Sequence, residues 1–340
     1  MHFVKNPKLG ICIGFDKYHE QYVRSCEELG VPFVRIDLRA ADWLRQVKES
    51  GCDGFLLRPP CEIQEQKSIY DERVYFLHRT LGYPVYPSLD EILIYENKRN
   101  MSYWLEHHGF PHPKTRVFSM KQEALAFADS TDYPVVFKAN VGSAATAVEI
   151  VKNRRQARRI INAVFGRIHP LLALGHIRWR RLGGIPLPLF GVTQRHYLIA
   201  QEYKKIIHEW RIIRIGDSYF GHQKLLKGEF ASGSGRVGWI RPPDELLFMV
   251  KDICERGGFL SMCVDIFETA DGKYFINELQ SIFGSYNDSQ MYIDGVPGRL
   301  TLKGREFAFE EGKFNRFGSY LLRVKHFLDI LQHTDRNDHR

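Results

Sequence analysis

Asp265, Glu278 and Gln280 are three hard oxygen donors within one short stretch, from Val264 to Gln280. That stretch reads as two strands joined at Asp271-Gly272, a dipeptide suited to a tight hairpin turn. Residues two apart on a strand share a face, so Glu278 and Gln280 point the same way. Hairpin pairing brings Asp265 close to them. Two carboxylates and an amide oxygen are the ligands magnesium takes in nucleotide sites, where water and phosphate fill its other positions. An exposed hairpin with ordinary acidic residues would carry the same string.

A second group of residues points to phosphate. Lys138 lies near the end of an apolar strand, where an ammonium is costly unless it meets a partner. The small-residue loop Asn140-Val141-Gly142-Ser143-Ala144-Ala145-Thr146 follows, and its N–H groups can approach a phosphate closely. An edge-strand lysine before a plain loop is the other reading. No G-x-x-x-x-G-K-[ST] loop occurs. Gly233-Ser234-Gly235-Arg236-Val237-Gly238 fits G-x-G-x-x-G, but no strand precedes it and Pro242-Pro243 follows in place of a long helix. It is read as a flexible loop whose Arg236 could order around an anion.

Elements must position these groups. Strands at 9–15, 31–38 and 54–57 alternate with helices at 18–29 and 40–49, the pattern of βαβ units on a parallel sheet. A further helix within 61–82 and a strand at 84–86 complete a small Rossmann-like N-terminal domain, residues 1–88. It lacks the glycine turn of a dinucleotide site. Ser88 caps a helix expected over 89–108, stopped by Gly109. Strands at 115–118, 134–139 and 147–151 with helices at 121–128 and 154–165 make a compact α+β unit. The region 166–196 is the least legible. Strands at 197–203, 209–215 and 219–226, a loop at 228–241, a helix at 243–256 and the acidic hairpin lead to a C-terminal helix at 318–331. The expected units are 1–88, 89–200 and 201–331, with a frayed tail at 332–340.

The formal charge of +8, from 48 basic and 40 acidic residues, suits an anionic ligand or a basic face. The basic tracts 152–159 and 178–181 hint at an anionic acceptor such as an acidic peptide, a uronic-acid sugar or a phosphorylated metabolite; a solvated face explains them nearly as well. The six cysteines contain no C-x-x-C pair, which with the absent signal-peptide pattern leads to an expectation of reduced thiols and a cytoplasmic protein. No apolar run is long enough to span a bilayer. His107, His108 and His112 lack helical metal-pair spacing and are read as surface histidines.

The order of the motifs resembles the ATP-grasp superfamily, nearest its glutathione synthetase and ribosomal-protein glutamate ligase branch. Tyr95-Glu96-Asn97-Lys98, Tyr133 to Lys138 with Gly142-Ser143, Ile199 to Tyr203, Glu209-Trp210-Arg211 and Asp265 with Glu278-Leu279-Gln280 follow in the family's order over residues 85–290. The resemblance implies an ATP-grasp fold, α/β and α+β, with the nucleotide held between two α+β subdomains behind the Rossmann-like domain. It implies ATP phosphate contacts from Lys98, Lys138 and the Gly142, Ser143 and Ala144 loop. Gln201, Glu202 and Tyr203 would lie at adenine and Glu209 at ribose. Arg211, Lys224 and Arg236 would act at the transferring group, and Asp265, Glu278 and Gln280 would hold magnesium. Gln280 departs from the family's asparagine.

The implied function is an ATP- and magnesium-dependent carboxylate–amine ligase acting through an acyl phosphate, with a lid over the nucleotide. A phosphotransferase acting on a hydroxyl and a non-catalytic nucleotide-binding protein are the alternatives. Nucleic acid is not an expected partner; the oligomeric state is left open, with a homodimer compatible with the resemblance.

Overall fold

The structure is a computed structural model. It describes residues 6–14, 17–61, 63–142, 148–166, 195–229, 231, 235–283 and 287–333, with the backbone of a hairpin, Trp179–Leu182 and Ile185–Pro188. The predicted contacts at Ser143 and Ala144 lie outside these residues.

Three sheets organise the chain. The first is parallel, ordered Phe33–Ile36, Leu9–Cys12, Gly54–Leu56, Val85–Tyr86. Its central strands are apolar throughout because helices cover both faces. The helix Glu20–Leu29 follows the first strand and stops at Gly30, whose φ of 65° closes the last turn. The final helix, Tyr320–His333, returns to this same sheet. Tyr320, Val324, Phe327 and Leu331 share a core with Leu9, Ile11 and Tyr22. Gly54 lets Phe327 approach the strand closely, since a Cβ there would fall 2.6 Å from the ring.

The second sheet is antiparallel, ordered Thr115–Phe118, Leu198–Glu202, Val135–Lys138, Val148–Val151. Helices Lys121–Ser130 and Arg154–Val164 supply its core from one side. The third sheet runs Tyr274–Gln280, Ser261–Thr269, Ile206–Ile215, Ser218–Leu225, Val296–Lys303, Tyr292–Ile293. Its inner face packs on the helix Asp244–Gly257 through Leu246, Leu247, Val250 and Ile253.

Two expectations need correction. The single helix read over 89–108 is two, Leu89–Ile94 and Lys98–His107. The chain turns at Glu96, which has a φ of 49°, and the Asn97 side chain accepts from Asn100 N to start the second helix. The stretch between the acidic hairpin and the C-terminal helix, for which no element was expected, adds strands Val296–Lys303 and Glu306–Glu311 to the third sheet. Among the described residues no helix is long and apolar enough to cross a membrane.

Candidate active site

The outer face of the third sheet is the floor of a cleft. Residues directly paired on antiparallel strands share a face. Glu209 pairs with Lys224 on one side and Phe267 on the other; Arg211 pairs with His222 and Asp265; Asp265 pairs with Glu278. Trp210 and Ile212 alternate to the core. The string Glu-x-Arg therefore aims both charged groups outward by period two alone.

The ladder slips once, between Asp265 and Ile266. Ile276 pairs with Ile266, and Glu278 pairs with Asp265, so Asn277 is the extra residue of a bulge. Asn277 and Glu278 both line the cleft, which a regular strand would forbid.

The second sheet makes the facing wall. Val136 pairs with Ile150 and Lys138 with Val148, giving an apolar slab that ends in an ammonium. Ile206 and Phe267 face it from the floor. Gln201, Glu202, Tyr203 and Lys204 form the connection between the two sheets. The cleft holds about 350 Å³. An apolar slot of this kind suits a flat heteroaromatic ring, and the charged end suits phosphates.

The charged groups form one continuous chain of contacts. Lys138 Nζ donates to Asn277 Oδ1 at 3.0 Å, and Asn277 Nδ2 donates to Glu209 Oε2 at 2.9 Å. Lys224 bonds Glu209 and, at 2.9 Å, Asp265 Oδ2. Arg211 grips Asp265 with two bonds of 2.9 Å and reaches Gln280 Oε1 at 3.3 Å. Gln280 Nε2 donates to Glu278 Oε2 at 2.8 Å, and Lys98 Nζ lies 3.5 Å from the other Glu278 oxygen. Glu96, at the helix break, lies 3.7 Å from Lys98 Nζ and accepts from Gly142 N at 2.9 Å. Lys98 also donates to the Gly142 carbonyl at 3.0 Å. The loop start is thus clamped to the break between the two helices.

Burial and charge set the protonation states. Burial opposes ionisation of Asp265, but Arg211 and Lys224 outweigh it and hold its carboxyl well below the usual range. Burial pushes the Lys138 ammonium down to about 8, with Glu278 opposing and Lys98 adding to the effect. Burial lowers Lys98 too, but Glu96 and Glu278 leave it raised. Burial lowers His222 to about 4 against the Gln290 carbonyl it faces.

Lys98, Lys138, Gly142, Gln201, Glu202, Tyr203, Glu209, Arg211, Lys224, Asp265, Glu278 and Gln280 all lie in this cleft. Arg236 does not line it. It precedes the short strand Val237–Gly238 at the outer edge of Ser218–Leu225, and its guanidinium reaches back to the Leu226 carbonyl. Asn277, Lys204, Glu229 and Glu96 escaped the sequence reading. Asn277 lay beside two named residues, but period two assigns it to the core. Among the described residues no three His, Cys, Asp or Glu side chains are gathered as a metal nest. Asp265 and Glu278, cross-strand neighbours, with the Gln280 amide oxygen form a hard-oxygen set, which fits a magnesium ion that keeps phosphate and water ligands.

No family model matches the chain. It is 25% identical to the alpha-aminoadipate–LysW ligase LysX of Saccharolobus solfataricus over 217 residues, 61% of this chain and 69% of that protein. It superposes on N5-carboxyaminoimidazole synthetase of Staphylococcus aureus complexed with ADP at a TM-score of 0.57 and 13% identity, covering 83% of this chain and 72% of that one. The biotin carboxylase domain of Hydrogenobacter thermophilus 2-oxoglutarate carboxylase, in complex with MgADP, ADP and bicarbonate, gives 0.56 at 13% identity, over 84% of this chain and 66% of that one. A cleft between two antiparallel sheets, behind a parallel N-terminal sheet, is the ATP-grasp fold. The chain thus has the ATP-grasp fold and is similar in sequence to a ligase.

Proposed function

We propose that the chain joins a carboxylate to an amine by way of an acyl phosphate, releasing ADP and phosphate. One observation supports this above the rest. Lys98, Lys138, Arg211, Asp265 and Glu278, drawn from distant segments, line a single cleft. Among described cleft residues no side chain need act as a nucleophile; positioning and charge neutralisation suffice.

Mg-ATP, when bound, supplies the electrophilic phosphoryl group and further charge neutralisation. Asp265, Glu278 and Gln280 would hold the metal. Lys98 and Lys138 would bind phosphate oxygens, and the slab of Val136, Val148 and Ile150 would take the base beside Glu202 and Tyr203. Arg211 sits where a substrate carboxylate and the phosphoryl group would share its donors. One carboxylate oxygen attacks phosphorus as the bond to ADP breaks. The amine then attacks the acyl carbon, phosphate leaves, and the amine loses a proton. The proposed setting is the cytoplasm and the proposed assembly a homodimer. An anionic acceptor fits the basic tracts.

Hydroxylamine traps an acyl phosphate as a hydroxamate and leaves a phosphorylated hydroxyl untouched. A panel of amino acids, acidic peptides and uronic acids with Mg-ATP should give ADP and hydroxamate together for the true carboxylate. ADP release with no hydroxamate would rule out the ligase chemistry.

A further inference from the structure

Arg323 has no exposed surface. Among the described residues its Nε and Nη1 have no hydrogen-bond partner, and Nη2 makes one long bond of 3.3 Å, to the Ser281 carbonyl. Its guanidinium rests on the Phe283 ring at 4.1 Å and near Tyr320 at 5.2 Å. Among the described residues no carboxylate pairs with it. Such a charge is costly to bury alone. The Tyr22 hydroxyl stands beside Arg323, also buried, also without a normal hydrogen bond. The Ser281 hydroxyl is a third buried group without a partner. Bridging water would satisfy these donors but would leave the charge uncompensated. An anion would do both.

The place in the fold favours a ligand. The first sheet runs from Leu9–Cys12 to Phe33–Ile36 on one side, then crosses to Gly54–Leu56 on the other. Its switch point is therefore between the first and third strands, and ligands of open parallel sheets bind outside the carboxyl ends at such points. Tyr22 is in the first turn of the helix leaving that end, and buried Arg58 follows the third strand there. Arg58 also acts on the Tyr22 hydroxyl. From the other side, Ser281 directly follows Gln280, whose side chain meets Arg211. The cluster thus begins one peptide unit beyond the cleft floor.

We infer that Arg323, Tyr22 and Ser281 form an anion-binding subsite that takes a second acidic group of the carboxylate substrate. The substrate would be a diacid or a phosphorylated acid, with one carboxylate at Arg211 and the other anion at Arg323. This inference rests on the ligase reading.

The probes are succinate, glutarate, adipate and inorganic phosphate, with butyrate as the single-charge control. Each is titrated calorimetrically into the full chain saturated with a magnesium complex of a non-hydrolysable ATP analogue. At least one of the four should bind the wild type ten times more tightly than butyrate. Arg323→Met should reduce that preference to about one, and Tyr22→Phe should reduce it several-fold, with nucleotide affinity kept. Tyr22→Phe removes only one oxygen, so it decides the matter if Arg323→Met does not fold. No preference in the wild type, or an undiminished preference in Tyr22→Phe, overturns the subsite. Failure of the wild type to bind the nucleotide analogue would instead sink the ligase reading.

Discussion

The cleft floor and the switch point of the first sheet both bury cationic side chains, yet these are satisfied in opposite ways. On the floor, Arg211 and Lys224 share Asp265, and Lys224 also bonds Glu209. Around Arg323 the described donors outnumber the acceptors, and no acid among the described residues pairs with it. The floor is preorganised by its own counter-ions, so a ligand must exchange partners to bind there. Among the described residues the switch point offers Arg323 no such counter-ion, so an arriving anion would gain contacts there without displacing an ion pair. Charge density alone does not mark a binding site; the balance of partners does.

Breaking the floor has the largest expected effect. Asp265→Ala strips Arg211 and Lys224 of their common acceptor while leaving both charges buried. A loss of about 3–5 kcal/mol in stability is expected, as for one member of a buried ion pair. Urea unfolding measures it, and a loss below about 1 kcal/mol would show the floor to be less tightly coupled than its geometry implies.

Acid should test the same region next. Burial holds the folded His222 imidazole at about 4, against 6.5 for an ordinary histidine. The unfolded chain therefore takes up the proton first as pH falls, and the folded state loses stability from about pH 6.5 down to about 4. At roughly 1.4 kcal/mol per pH unit the loss reaches about 3 kcal/mol. Unfolding followed across that window should show a slope that His222→Gln reduces; an identical slope in the variant would clear His222 of the effect.

The smallest effect sharpens the contrast between floor and wall. Among the described residues the Lys138 ammonium makes one hydrogen bond, to Asn277, and it is already disfavoured by burial. Lys138→Met should change stability by less than about 1 kcal/mol. It should weaken Mg-ATP binding about tenfold, or about 1.4 kcal/mol. Calorimetry with unchanged affinity would remove Lys138 from the nucleotide site.

Much of this site was legible because it obeys period two. Glu209 with Arg211, and Glu278 with Gln280, are outward residues on regular strands, and their register follows from turns and apolar alternation. Asn277 was missed because a bulge cancels that period locally. The break at Glu96 was missed because neither glycine nor proline marks it; the turn depends on Asn97 capping and on the clamp to Gly142, which only tertiary contact reveals. The docking of Tyr320–His333 on the first sheet joins the two ends of the described chain, and an amphipathic pattern does not say which sheet receives it. Arg323 was invisible for the same reason, since it reads as an ordinary arginine on an ordinary helix.

The slipped ladder at Asn277 has one more consequence. Excising that residue would leave Ile276 beside Glu278, and the in–out alternation of the strand would come out regular, with every other side chain keeping its side. Asn277 is thus a supernumerary position. It gives the sheet one more amide than its pleat has room for, and that amide is the only described side chain bridging Lys138 on the wall to Glu209 on the floor.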